Sequence, residues 1–438
     1  MMKILGGVLL LHPALILTAA RLPPGFSSEA DFLVSLHSKW PRSLDQAAPT
    51  LHPASSRYLP GDQRYPYERI WAALNNSAEG RLIRGLPLGR VCYGTNVNNT
   101  ACAALKREWP TVDPYLDDLV NVMSPYWQDS ACNPFYGPSG SCELGNLASY
   151  AINISEARHD IAGLRFAKQN NIRLTIKNTG HDYLGRSSGE GSLALWTHNL
   201  KEVKFLDYNS SFYTGPAARF GAGIQVHEAY KAAQEKGFRV TGGGCPTVGL
   251  AGWLSSGGHG PLTSAYGLGV DNVLEYDVVT SAGSMLTASP TRNPELFRAL
   301  SGGGGGNYAV VLSVTMRAHP DGPVAGSNFL FTNSKPDSYW TALSAWLENL
   351  LVIDAQFPAL KTAVTFTNSF FNLDFASLPD DGQGAVLAQA LAPFFRKLEE
   401  LDIPLTAHET RVMPTSTEHY DYFSGFHPWG TNETLSNR

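Results

Sequence analysis

Long apolar runs are nearly absent from this 438-residue chain. After an opening stretch from Ile4 to Leu17, itself broken by His12 and Pro13, no segment is long and apolar enough to cross a bilayer, so no membrane partner is expected. A surplus of either charge is also lacking: 33 basic and 38 acidic residues are interspersed and leave a formal net charge of -5. With no polybasic arm and no basic-aromatic ladder, nucleic acid is not an expected partner. Cysteines are few, none are paired at metal-binding spacing, and no metal site is expected.

What is there begins with Lys3, the short apolar run and Thr18-Ala-Ala, the pattern of a secretory signal peptide over 1–20 with cleavage near Ala20. A secreted, extracellular protein is the expectation. In an oxidising compartment Cys92, Cys102, Cys132 and Cys142 form two bridges, and of the three connectivities the local one, Cys92 with Cys102 and Cys132 with Cys142, is the first choice. Cys245 stands outside that set, either as a buried thiol or as a reactive one. Sequons at Asn75, Asn98, Asn153, Asn209 and Asn432 fit an exported glycoprotein and are expected on surface loops.

A chain of this length is too large for one ordinary core and is expected to build two domains. Residues 21–145, rich in proline and holding the first four cysteines, read as an irregular, disulfide-braced region. Arg81 to Arg84 is a short strand there, and Pro110 to Met123 is either helical or extended. Regular alternation starts at Ser155, the predicted cap of a helix to Gln169. Strands follow at Ile172–Lys177, Leu193–Trp196 and Ala218–Gly221, then a helix striped by Val226, Ala229, Tyr230 and Ala233. Phe238 to Thr241 is the next predicted strand. Val273–Thr280 and Met285–Ala288 are paired strands, Pro294–Leu300 a short helix, and Tyr308–Met316 a strand. Pro320-Asp-Gly-Pro marks passage into a second domain. Strands are expected there at Ser327–Phe331 and Ala363–Phe371, with helices at Tyr339–Phe357 and Ala388–Leu401. The order implies an α+β fold with no single Rossmann unit.

Glycine is abundant, 42 residues in all, and its placement is uneven. Gly180 and Gly185 allow tight turns, while Arg186 and Ser187 offer donors to an anionic group; the same residues also make ordinary solvent-facing turns. Thr241-Gly-Gly-Gly-Cys-Pro places Gly244 beside Cys245. A second small-residue surface holds Gly257, Gly258, His259 and Gly260. His259 either contacts a cofactor or substrate or bonds to loop backbone. A third run, Gly302 to Gly306 with Gly304 at its centre, cannot be helix interior. Backbone packed against a planar ring needs such an absence of side chains, and His181 and Cys245 offer two nucleophiles to it.

These segments, Thr179-Gly-His-Asp-Tyr-Leu-Gly-Arg-Ser, Leu195-Trp-Thr-His-Asn-Leu-Lys, Gly244-Cys-Pro-Thr-Val-Gly, Ser256-Gly-Gly-His-Gly-Pro-Leu and Leu300-Ser-Gly-Gly-Gly-Gly-Gly-Asn-Tyr, stand in one order along 132–320. The set resembles FAD-linked oxidoreductases of the vanillyl-alcohol oxidase fold, in particular the secreted fungal branch related to berberine-bridge enzymes and isoamyl alcohol oxidases. The resemblance implies a PCMH-type FAD-binding domain at 146–320, preceded by the braced region 21–145, and a substrate-binding α/β domain at 321–438. It implies FAD bonded through His181 at the 8α methyl and through Cys245 at C6, with hydride passing from a small organic substrate to N5. Dioxygen is the expected acceptor, giving hydrogen peroxide. Family members often use a tyrosinate or carboxylate of the substrate domain as base, and Tyr420, Tyr422 and Glu418 are the candidates here. The family's further sheet and returning segment have no counterpart before Arg438, so the resemblance implies a C-terminally truncated chain with an incomplete substrate domain. Two other readings compete: a flavin-free secreted protein binding carbohydrate or a small aromatic molecule, and an inactive fragment.

Overall fold

The computed structural model describes residues 57–123, 132–136 and 140–423. The expected signal peptide and the sequon at Asn432 lie outside the described residues.

Helix α1 (Glu68–Ser77) buries Trp71 and Leu74, three residues apart, on one face. Strand β1 (Leu82–Arg84) follows, then α2 (Asn99–Glu108) and α3 (Asp113–Leu116). The Asn98 side chain caps α2 by accepting the Ala101 N–H at 3.0 Å. Both local disulfides form as expected, Cys92–Cys102 and Cys132–Cys142. Within 110–123 the helix is only the four residues of α3, with Pro114 in its first turn.

Next come β2 (Tyr150–Asn153), α4 (Ala157–Gln169), β3 (Leu174–Lys177) and β4 (Leu193–Trp196). They complete a four-stranded sheet of order β1-β2-β4-β3, in which β2 and β3 both run parallel to β4. Helix α4 starts later than predicted, with Glu156 in the capping position. Ser155 is occupied elsewhere: its hydroxyl lies 3.4 Å from His159 Nδ1 and does not cap the helix.

The second sheet is built from β5 (Val203–Asn209) and β6 (Thr214–Gly221), followed by α5 (Val226–Gln234), β7 (Phe238–Arg239), α6 (Leu250–Ser255) and α7 (Thr263–Tyr266). Strands β8 (Val273–Thr280) and β9 (Met285–Ala288), helix α8 (Pro294–Leu300) and strand β10 (Ala309–Arg317) complete it. Its order is β5-β6-β10-β8-β9, and every pairing is antiparallel. Phe220, Tyr230, Leu254, Tyr276 and Val314 share its core. The strand predicted to reach Thr241 stops at Arg239: its partner β11 (His319–Pro320) pairs antiparallel, His319 with Arg239 and Pro320 with Phe238, and Ala318, next in that register, donates its N–H to the Pro216 carbonyl at 3.0 Å instead.

A third sheet uses β12 (Val324–Thr332), α9 (Pro336–Gln356), β13 (Lys361–Phe366), β14 (Phe370–Pro379), α10 (Ala385–Glu400), β15 (Ala407–Met413) and α11 (Ser416–Phe423). The order is β13-β14-β12-β15, all antiparallel. Helices α9 and α10 cover one face over Phe329, Phe331, Trp346, Phe371 and Phe394. The single strand predicted over 363–371 is a hairpin instead. Thr367 N–H bonds the Phe370 carbonyl at 2.9 Å, and the Thr367 hydroxyl accepts the Ser369 N–H at 3.0 Å, so a Thr-Asn-Ser turn reverses the chain.

The sequons also depart from expectation. Asn75, Asn153 and Asn209 lie within α1 and at the ends of β2 and β5 rather than in loops. Asn98 and Asn209 are exposed, whereas Asn75 and Asn153 are half-buried. Asn75 accepts the Leu82 N–H and Asn153 accepts the Asn199 amide.

Candidate functional site

Three glycine-rich segments that are distant in sequence meet at one place. The loop after β3 joins the loop before α6 through Gly249 N–H, which donates to the Thr179 hydroxyl at 3.3 Å. The loop after α8 joins the end of α6, where Gly302 and Gly304 N–H both donate to the Ser255 carbonyl, at 3.2 and 2.9 Å. It also meets the first loop, since a Cβ on Gly304 would lie 2.5 Å from Arg186 Nη1. Gly180, Gly185, Gly257, Gly258 and Gly304 all have φ between 70° and 99°, the left-handed region that side chains disfavour. At Gly260 the constraint is contact: an added Cβ would fall 1.8 Å from the Gly242 carbonyl oxygen.

His181 and Cys245 come together through a residue that neither motif signalled. The Thr247 hydroxyl lies 2.8 Å from His181 Nε2 and 3.7 Å from Cys245 Sγ, and these two distances cap the separation of imidazole and sulfur. Thr247 is buried, while His181 and Cys245 are half-buried. The carbonyls around Cys245 are fixed in turn. Gly243 O accepts from the Tyr230 hydroxyl at 3.0 Å and Gly244 O from the Tyr420 hydroxyl at 2.6 Å. Pro246 O accepts the His227 N–H at 3.0 Å and lies 3.0 Å from His227 Nδ1.

Two glycines have no packing reason to lack a side chain. At Gly244 and Gly252 an added Cβ would meet no protein atom within 4 Å, and neither has a positive φ. Gly252 even sits inside α6, where alanine is the better helix former. Their bareness leaves backbone uncovered, half-buried at Gly244 and exposed at Gly252.

Arg186 is held in a fork by Asp182, with Nε 3.0 Å and Nη2 2.6 Å from the carboxylate oxygens. Burial pushes the Asp182 carboxyl up, but the hydrogen bonds and charge of Arg186 outweigh it and hold the group below the usual range. Ser187 is buried beside it. Beneath this loop lies Lys177, fully buried, whose ammonium donates to the carbonyls of Tyr115 at 3.1 Å and Asp118 at 2.6 Å. Burial lowers its pKa to about 8 against the opposing charges of Asp118 and Asp117. His259 is at the exposed rim. Its ring is nonetheless close enough to the loop atoms that desolvation, then the charge of Lys361 on β13, favours the neutral form.

The three residues considered for the base lie on α11. Tyr420 is buried, packs edge-on against Tyr230 with centroids 4.9 Å apart, and bonds the Gly244 carbonyl. Tyr422 donates to Glu409 on β15 at 2.5 Å and lies under the Arg411 guanidinium. Glu418 is half-buried in the first turn. Thr247, Tyr230, His227 and Asp182 were not singled out from sequence. Asp182 and Thr247 lay inside segments whose composition had suggested a ligand; Tyr230 and His227 did not.

An FAD binding domain family model matches residues 154–289, the stretch that carries the first two loops. The chain is similar to a VAO-type flavoprotein of known crystal structure from Myceliophthora thermophila C1, at 40% identity and TM-score 0.82, covering 86% of this chain and 69% of that one. It is also similar to an FAD-linked oxidoreductase, orf1, of Neocamarosporium betae, 42% identical over 387 residues, which are 86% of this chain and 65% of the relative. The chain thus spans just under two thirds of that relative's length. A shorter FAD-linked oxidoreductase, sthB, of Phaeosphaeria nodorum is 41% identical over 70% of this chain and 98% of its own length. With this fold, these converging loops and these likenesses, the chain belongs to the fungal VAO-type family of FAD-linked oxidoreductases.

Proposed function

We propose that this protein is a secreted oxidase that removes hydride from a small organic substrate, an alcohol, a sugar or a specialised metabolite, and passes the electrons to dioxygen. FAD, when bound, supplies the hydride acceptor at N5 and the redox chemistry. The chain's own residues would hold it: Gly180, Gly185, Arg186 and Ser187 toward the phosphates, and Gly244, Gly257, Gly258, His259, Gly260 and Gly304 along the rings. The single observation that carries this reading is the Thr247 hydroxyl shared by His181 and Cys245. It brings an imidazole and a thiol to one spot beside backbone that no protein side chain covers.

His181 and Cys245 are proposed to bond the cofactor at its 8α carbon and at C6, two positions on one benzenoid ring. Each attachment replaces one C–H and one N–H or S–H bond by a C–N or C–S bond, and the two hydrogens leave as hydrogen peroxide formed from dioxygen. Fixing the ring in this way lets the protein hold the reacting carbon in line without loss of cofactor. The two disulfides and the opening signal-peptide pattern support export to an oxidising compartment.

The test is the colour and mass of purified protein. A flavin spectrum that stays with the denatured polypeptide is expected, with flavin mass on both His181 and Cys245 peptides. His181→Ala and Cys245→Ala should each retain one attachment, and the double variant should release flavin on denaturation. Folded protein that is colourless, or flavin absent from both peptides, overturns the reading.

A further inference from the structure

We infer that Tyr420 is a positioning residue for the Cys245 attachment, and that through it the docking of α11 onto α5 sets how completely that bond forms. The inference rests on the proposed double attachment. Two of the three residues fixing the loop carbonyls, Tyr230 and His227, come from α5, which packs in the core of the second sheet. The third, Tyr420, comes from α11, which packs against β12, β14 and β15 of the third sheet. Its hydroxyl ends 2.6 Å from the carbonyl oxygen of Gly244, the residue directly before Cys245.

The docking that delivers Tyr420 is itself specified by polar contacts. Thr417 donates to the Tyr230 carbonyl at 3.3 Å, and the Gln234 amide donates to Thr415 at 3.0 Å. The Tyr230 and Tyr420 rings pack edge to face, so one tyrosine from each side grips adjacent carbonyls of the same loop. Gly244 offers no Cβ contact of its own to hold it. A loop of three glycines loses much conformational freedom on being fixed, and a peptide plane that can turn moves the thiol that follows it. Holding the plane from the adjoining sheet therefore keeps Sγ near Thr247 and aimed at one place. The histidine attachment is further removed from it: His181 is carried by the loop after β3, and the Thr247 hydroxyl it meets follows Pro246, whose carbonyl is held by His227 of α5 and not by Tyr420.

The experiment is a peptide-mass measurement on the intact secreted chain of Tyr420→Phe, which keeps the ring and removes only the hydroxyl. The rate of flavin bonding to Cys245 is expected to fall about threefold to tenfold, the effect one neutral hydrogen bond supports, while His181 bonding is unchanged. The visible spectrum should shift toward that of Cys245→Ala in proportion. Gln234→Ala, which loosens α5 from α11 without touching the loop, should move the same ratio in the same direction, and it serves if Tyr420→Phe fails to fold. Equal loss at both residues, or an unchanged Cys245 fraction in both variants, overturns the inference. Wild-type protein with no flavin on Cys245 instead overturns the double attachment on which it rests.

Discussion

The glycine loops around Thr247 and the interior of the third sheet use side chains in opposite ways. In the loops, space is made by leaving side chains out: at Gly244 and Gly252 no protein atom would oppose a Cβ. In the sheet, space is filled by rings. Phe331 and Phe371 stack with centroids 4.8 Å apart, and Trp346 meets Phe394 edge-on at 5.0 Å. Added bulk serves a neighbour inside the fold, whereas absent bulk serves something that must approach from outside it. The first region therefore carries the ligand signal, and the second carries stability.

That contrast is open to direct attack. The largest effect is expected from Phe371→Ala, which empties a fully buried site among four other rings and should cost about 3–5 kcal/mol in denaturant unfolding. Flavin attachment measured on the folded fraction should stay at the wild-type level, and its loss would break the division of roles.

Asp160 comes next, a charge-bearing group buried on the flavin side with both carboxyl oxygens lacking a hydrogen-bond partner. Burial raises its pKa to about 8, so stability is fully present below about pH 4 and is lost as pH rises through 8. Asp160→Asn should remove that slope, gaining on the order of 2–4 kcal/mol on wild type between pH 4 and pH 8. Buried His198 and His419 and half-buried His319, whose pKa values fall to about 4, act in the other direction, costing stability as pH drops below about 6.5. Both proteins share them, so the difference between the two unfolding-versus-pH curves isolates Asp160. Parallel curves would refute the assignment.

Gly260→Ala is a smaller step, forcing the loop away from the Gly242 carbonyl at about 1–3 kcal/mol in thermal unfolding. Gly252→Ala is the sharpest test and the smallest. Packing within the protein predicts a gain of about 1 kcal/mol for the flavin-free fold, from helix propensity alone. A cofactor lying on that backbone predicts weaker flavin retention in the same variant, read as the ratio of visible to ultraviolet absorbance in the His181→Ala, Cys245→Ala background. Stabilisation with undiminished retention would remove Gly252 from the binding surface.

Much of this fold was legible locally. The helix at Pro294–Leu300 and the strands at Val273–Thr280 and Met285–Ala288 appear with the boundaries read from periodicity and turn residues. The reading failed where a distant partner set the limit. Strand β7 ends where Ala318, next in the register after His319, gives its N–H to the Pro216 carbonyl, and the hairpin at 367–369 was hidden because Thr-Asn-Ser is a weaker turn signal than a glycine pair. In the site, glycine spacing exposed the loops and the segment that holds Thr247, but nothing local set Thr247 apart within it, and Tyr230 and His227 lie on a helix that carries no mark of a site. Threonine, tyrosine and histidine are common residues whose meaning comes only from what they face.

By itself the sequence determined the kinds of most elements and the loops bare enough to admit a ligand, and it favoured the two short-range bridges over the other connectivities, since dihedral preference, periodicity and loop closure over ten residues are local properties. Only the tertiary structure decided that His181 and Cys245 share one hydroxyl and that a tyrosine 176 residues away grips the carbonyl before Cys245. Those contacts depend on how three sheets stack, and stacking is set by burial of faces whose partners are distant along the chain.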